Sequence, residues 1–130
     1  FRRVLFRSGL RQDQAVGGDN SGIEVEGGEI RLRLRILFGP RAMLGPGKAE
    51  LLERIRDTGS ISAAGRGMEM SYKRAWSLVE EMNAAFAEPL VASARGGPRG
   101  GGAVLTDAGT KVLRLYNLAL ERAEAVKGSP

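Results

Sequence analysis

The stretch Ser60–Val79 reads SISAAGRGMEMSYKRAWSLV, and its reading decides the fold. Ser60 and Ser62 offer side-chain caps and Ala63 and Ala64 are strong helix formers, so a short helix is expected over Ser62–Met68. Glu69-Met70 leaves room only for a tight turn. Ser71 is a second N-cap. Behind it Ala75, Leu78, Val79, Met82 and Phe86 fall at i, i+3, i+4, i+7 and i+11, one apolar stripe. The stripe predicts a longer helix over Tyr72–Ala87, stopped by Pro89. Two helices joined by so few residues make a helix-turn-helix.

The flanks extend this pattern. In Ile30–Phe38 (IRLRLRILF), Arg31, Arg33 and Arg35 alternate with Leu32, Leu34 and Ile36, the period of a strand with one buried face. Gly39-Pro40 ends it. Leu51, Leu52 and Ile55 then sit at helical spacing in Lys48–Thr58, and Gly59 stands where a left-handed terminal residue is commonly needed. After the long helix, Leu90–Ser93 and Val104-Leu105 have β character around Ala94–Ala103, a loop built almost entirely of Gly, Arg and Pro. Thr106 caps a last helix that runs to Val126. The order predicts a mainly α fold with a small β-hairpin (α+β), a winged helix-turn-helix with a long C-terminal dimerisation helix.

That last helix carries two adjoining apolar stripes, Val112, Leu115, Ala119 and Val126 beside Leu113, Tyr116, Leu120 and Ala123. One small core seldom needs both, so a second copy of the chain is expected as partner. The set Leu113, Tyr116, Leu120 and Ala123 is assigned to that dimer face.

At 130 residues the chain has one domain's length. The expected divisions are a flexible leader over 1–29, a winged-helix domain over 30–127 and a tail over 128–130. Residues 9–22 (GLRQDQAVGGDNSG) are rich in Gly, Asp and Gln without periodicity. Phe1–Arg7 is basic and apolar, but it lacks an initiator Met and the roughly 7–15-residue apolar core of a signal peptide. Arg3–Ser8 resembles one reading frame of a sequencing-adapter oligonucleotide, so the leader is set apart from the fold.

Composition narrows the function classes. No apolar run approaches the ~18 residues that span a bilayer, so no membrane partner is expected. The absence of Cys and His removes disulfides, a thiol nucleophile, a Cys/His zinc site and a histidine base. The carboxylates and lysines that remain form no site-like constellation. No enzymatic activity, cofactor or metal is therefore expected, and the setting is read as reducing and cytoplasmic. Twenty Lys and Arg against 15 Asp and Glu give a net charge of +5 and a pI near 10.2. The excess lies beyond residue 29, where sixteen cations face ten acids. Such a balance suits a polyanion, here double-stranded DNA.

The candidate contacts cluster where the core leaves off. Ser71, Lys73, Arg74 and Ser77 lie at the outward N-terminal end of the long helix, where recognition helices place base-reading side chains. Arg66 stands just before them on the short helix. Arginine's fork matches guanine O6 and N7, so base reading is assigned to Arg74 and phosphate contact to Lys73. Tyr72 can pack its ring and direct its hydroxyl to a phosphate, whereas Trp76 is read as a packing residue. Glu80 and Glu81 repel phosphates, so contact should fade along the helix. In the loop, Arg95 and Arg99 carry the charge, and the glycines allow close approach of backbone amides. The alternative is a winged-helix module whose same face engages a protein; salt-dependent binding to duplex DNA separates the two.

Ser60–Val79 together with Glu88–Thr106 (EPLVASARGGPRGGGAVLT) closely resembles the N-terminal DNA-binding domain of ModE-type molybdate-responsive transcription regulators. The similarity extends over about Ile30–Val126. Its most specific parts are Met70–Trp76 and the pattern Arg95-Gly96-Gly97, Gly100–Ala103 and Leu105-Thr106. The resemblance implies a LysR-like winged helix, dimerised through its terminal elements. It also implies that Ser71–Ser77 enters the major groove and that Arg95–Ala103 forms the wing. Members of the family carry molybdate-binding domains after this one. With Pro130 the last residue, no oxyanion ligand is expected in this chain. The Pro98-Arg99 insert departs from the family's wing pattern. The function expected is a sequence-specific, dimeric, double-stranded-DNA-binding transcription regulator without its own molybdate-binding domain.

Overall fold

Pro46 opens the first helix of the domain. Its φ is preset for a helix and its missing N–H would be unpaired there in any case, so helix α1 spans Pro46–Thr58 and begins before Lys48. The computed structural model describes Ile23 and residues 26–27, 29–94 and 102–127. The expected tail over 128–130 and nearly all of the expected leader lie outside the described residues. Gly59 ends α1 at φ 72°, its N–H donating to the Ile55 carbonyl at 2.8 Å. Helix α2 is Ile61–Gly67, capped by Ser60 Oγ, which accepts from the Ala63 amide at 3.0 Å. Helix α3 is Tyr72–Ala85, and α4 is Asp107–Lys127.

Two short antiparallel pairs complete the described architecture. Strand β1 (Ile36–Phe38) pairs with β2 (Ala42–Leu44), Ile36 opposite Leu44 and Phe38 opposite Ala42. Strand β3 (Val91–Ala94) pairs with β4 (Gly102–Leu105), Val91 opposite Leu105. The fold is α+β: helices with two small strand pairs and a long last helix, in the order of a winged helix-turn-helix.

Three expectations on element bounds are corrected. The Ile30–Phe38 alternation yields a strand only at Ile36–Phe38, because β2, which the sequence reading missed, offers just three pairing residues. The extended residues before β1 are held by side chains instead; the Tyr116 hydroxyl donates to the Leu34 carbonyl at 3.0 Å. Helix α3 stops at Ala85, two residues short of Ala87. Phe86 turns extended (φ −97°, ψ 160°), and its ring packs on Phe38 at 5.1 Å between centroids. The edge strands β3 and β4 run Val91–Ala94 and Gly102–Leu105, so β3 is shifted by one residue and β4 is longer than Val104-Leu105.

The chain divides into two compact units, Arg33–Asn117, and Phe1–Leu32 with Leu118–Pro130. In the first, Leu44, Leu51, Leu52, Ile55, Met82 and Leu90 are fully buried. Burying one such side chain contributes about 1.5–3 kcal/mol. Helices α2 and α3 meet at Gly65, where an added Cβ would come within 2.8 Å of the Ala75 Cβ. Only hydrogen fits at that crossing. In the second unit, Lys127 Nζ donates to the Ile30 carbonyl at 2.7 Å and pairs with Glu124 at 2.9 Å.

Candidate nucleic-acid interface

The turn between α2 and α3 is a helix-ending motif closed by backbone alone. The Met70 amide donates to the Gly65 carbonyl and the Glu69 amide to that of Arg66, both at 3.0 Å. This is the Schellman pattern, with Glu69 at φ 59° in the left-handed position where glycine is the usual residue. The chain then reverses into Ser71, whose Oγ accepts from the Arg74 amide at 3.1 Å. The cap fixes the direction in which α3 starts.

The burial of α3 sets what it presents. Ala75, Leu78, Val79 and Met82 are buried. At about 100° per residue they occupy one arc, and Lys73 and Ser77 lie opposite its centre. Arg74 falls on one flank, Tyr72 and Trp76 on the other. Ser71, Tyr72, Lys73, Arg74 and Ser77 are all exposed. Among the described residues no acid pairs with Lys73 or Arg74. Two cations therefore stand beside the positive end of a helix with nothing to neutralise them.

Trp76, expected to pack, does not. It is exposed and stacks on Tyr72, ring centroids 6.5 Å apart and planes 13° from parallel. The reason is angular: the core arc is filled by Ala75 and Val79, and Trp76 falls beyond its edge. Arg66 is exposed on the last turn of α2, where its Nη1 donates to Ser62 Oγ at 2.9 Å and ties it to its own helix. Glu81 is not a free acid, since Lys48 Nζ lies 3.4 Å away. Arg95 and Arg99 lie outside the described residues.

An open groove of about 820 Å³ runs between α3 and the β3–β4 pair. Tyr72, Trp76 and Glu80 line one side, Ser93 and Gly102 the other, and among the described residues no Lys or Arg lines it. The hairpin is held in place by residues that the sequence reading passed over. Asn83 accepts from the amides of Leu90 (2.8 Å) and Val91 (3.1 Å) and donates to the Val91 carbonyl (3.0 Å). The Ala103 amide donates to the Gly59 carbonyl at 3.0 Å, which fastens β4 to the α1–α2 junction. Thr106 Oγ1 donates to the Pro89 carbonyl (2.7 Å) and accepts from the Gly109 amide (3.0 Å), joining strand entry to α4.

The dimer-face assignment needs correction at two residues. Leu113 and Tyr116 are 2 % and 3 % exposed within the single chain, so they fill its own core. Leu120 and Ala123 are half-buried. In the neighbouring stripe Leu115 and Val126 are 47 % and 68 % exposed while Val112 and Ala119 are half-buried, and Leu118 beside it is 43 % exposed. Hydrophobic spacing locates two stripes but does not say which one the core takes.

Comparison with known proteins gives three close parallels. The chain is 51 % identical over 75 residues to molybdenum-pterin-binding protein MopB of Rhodobacter capsulatus, covering 58 % of this chain and 28 % of that protein. It is 41 % identical over 90 residues to the transcriptional regulator ModE of Yersinia pestis (69 % and 34 %). It is 40 % identical over 90 residues to the DNA-binding transcriptional dual regulator ModE of Escherichia coli (69 % and 34 %). The chain thus spans about a third of the length of these curated relatives. Among solved structures, ArgP from Mycobacterium tuberculosis aligns with TM-score 0.48 and 22 % identity over 62 % of this chain and 29 % of that one. No protein-family model matches the chain. The resemblance to ModE-type regulators read from its two motifs holds at 40–41 % identity to these ModE-named proteins, beside 51 % to MopB.

Proposed function

We propose that this chain, similar over most of its length to ModE-named regulators, binds specific double-stranded DNA as the winged-helix part of a transcription regulator. One observation carries the reading: α3 leaves Lys73, Arg74, Ser71 and Ser77 exposed and without acidic partners at its capped N-terminus. A recognition helix enters the major groove with that end foremost, and its first two turns meet the bases.

The division of labour between the cations follows their angles. Lys73 and Ser77 point away from the core and meet base edges; Arg74, on the flank, meets the phosphates bordering the groove. This reverses the division expected from arginine's fork alone. Arg95 and Arg99 serve as wing contacts, and Arg66 as a peripheral phosphate contact. The occupied DNA has two half-sites, because the outward stripe of α4 pairs with that of a second copy.

The test is a titration of the chain with duplex from a binding-site selection at several salt concentrations. The logarithm of affinity should fall linearly with that of salt, with a slope of about −0.9 for each phosphate neutralised. Salt-independent binding, or none, overturns the reading and favours a protein-binding module.

A further inference from the structure

Tyr72 and Trp76 are large aromatic side chains that the packing of α3 leaves 58 % and 42 % exposed. Single exposed apolar side chains need no explanation. A stacked pair does, because it forms a flat apolar wall within one turn of Lys73. The wall lies on the flank of α3 that faces the β3–β4 pair.

The dimensions of the two bodies decide what the wall meets. A helix with its side chains is about 10–12 Å across, and the major groove is about 12 Å wide. A helix seated with Lys73 and Ser77 toward the groove floor therefore touches both groove walls. Arg74 takes one side and the rings take the other. The rings are apolar, and among the described residues the groove beside them is lined by Glu80 and by no Lys or Arg, which suits an apolar group better than a phosphate. In the major groove each A·T pair offers one apolar group, the C5-methyl of thymine.

On the strength of the DNA-binding reading above, we propose that the Tyr72–Trp76 pair is a specificity element that reads thymine. The rings bury C5-methyl groups along one strand, while Lys73 and Arg74 set the register. Trp76 acts as a binding residue in its own right, beyond the cations and serines of the helix start.

The experiment uses the whole chain and a duplex pool selected by it from random sequence. Reamplifying that pool with dUTP in place of dTTP keeps every sequence and removes every thymine methyl. The parent chain should bind the uracil pool about fourfold more weakly for each methyl contacted, the ratio equivalent to one buried carbon. Trp76→Ala should narrow the difference between the two pools, leaving only the share that Tyr72 carries, and Trp76→Phe should retain more of the preference. Trp76 is the single tryptophan of the chain, so its emission should change more on adding the thymine pool than the uracil pool. Equal binding of the two pools by the parent overturns the inference and leaves the DNA-binding reading standing. A Trp76→Ala chain that discriminates like the parent also overturns it. Failure to bind either pool ends both. The two-pool comparison on the parent needs no variant to fold.

Discussion

At the scale of single residues, hydrogen bonds that cross between elements do more than their number suggests. Asn83 satisfies three backbone groups at the entry to β3. Asn83→Ala should lower stability by about 2 kcal/mol, since part-buried amides and a carbonyl lose their partner; chemical denaturation measures it. An unchanged midpoint would show that water replaces the side chain at no cost. Tyr116 gives a pH signature. Burial, partly offset by Arg33, raises its phenol above the usual value of about 10. A group whose pKa is raised on folding contributes stability that is complete below the unfolded pKa and lost as pH rises through the folded one. Denaturation midpoints should therefore fall above about pH 10, and Tyr116→Phe should remove part of that fall. Of the candidate contacts, the exposure of Ser71, Lys73, Arg74 and Ser77 was legible because polar residues outside a known apolar stripe must face out. Asn83 was not. Its role depends on a strand that reaches it through the fold, and nothing in the local sequence marks a mid-helix Asn as a bridge.

At the scale of elements, helix starts behind a side-chain cap were legible and strand ends were not. Helix signals are local: Ser60, Ser71 and Thr106 each cap the helix that follows, and Gly59 takes the left-handed position. A strand is ended by its partner, so the Arg–Leu alternation of Ile30–Phe38 overran the three residues that β2 can pair. The α2–α3 turn holds a testable strain. A left-handed non-glycine residue costs roughly 1–2 kcal/mol, partly offset because glycine loses more freedom on folding. Glu69→Gly should therefore stabilise the domain by about 0.5–1 kcal/mol, read as a higher melting temperature. Salt-dependent DNA affinity should barely change, since Glu69 lies outside the proposed contacts. A lower melting temperature would mean that Glu69 makes a compensating interaction of its own. The close approach of α4 to Leu90, the residue before β3, makes the opposite case. An added Cβ at Gly109 would run into the Leu90 carbonyl oxygen, so Gly109→Ala should be destabilising by more than the ordinary helix preference for alanine can recover.

At the scale of the whole molecule the open question is what covers α4. No helix among the described residues is long and apolar enough to cross a membrane. Helix periodicity divides its apolar residues into two stripes, and burial decides between them. Leu113 and Tyr116 go inward, while Leu115, Leu118 and Val126 stay in solvent. An apolar stripe left on a helix is self-complementary under a two-fold axis, where each copy buries the residues that the other exposes. The proposed recognition helices would then repeat on the DNA at a half-site spacing of about 34 Å, one turn of the duplex. Leu115→Glu with Leu118→Glu tests this directly. Both side chains are exposed in the single chain, so the fold and its melting by circular dichroism should be retained. Sedimentation should show the parent as a dimer at micromolar concentration and the double variant as a monomer. Affinity for a two-half-site duplex should drop toward that of a single half-site, because the second contact is no longer tethered to the first. A parent that sediments as a monomer, or a double variant that stays dimeric, would place the interface elsewhere or remove it.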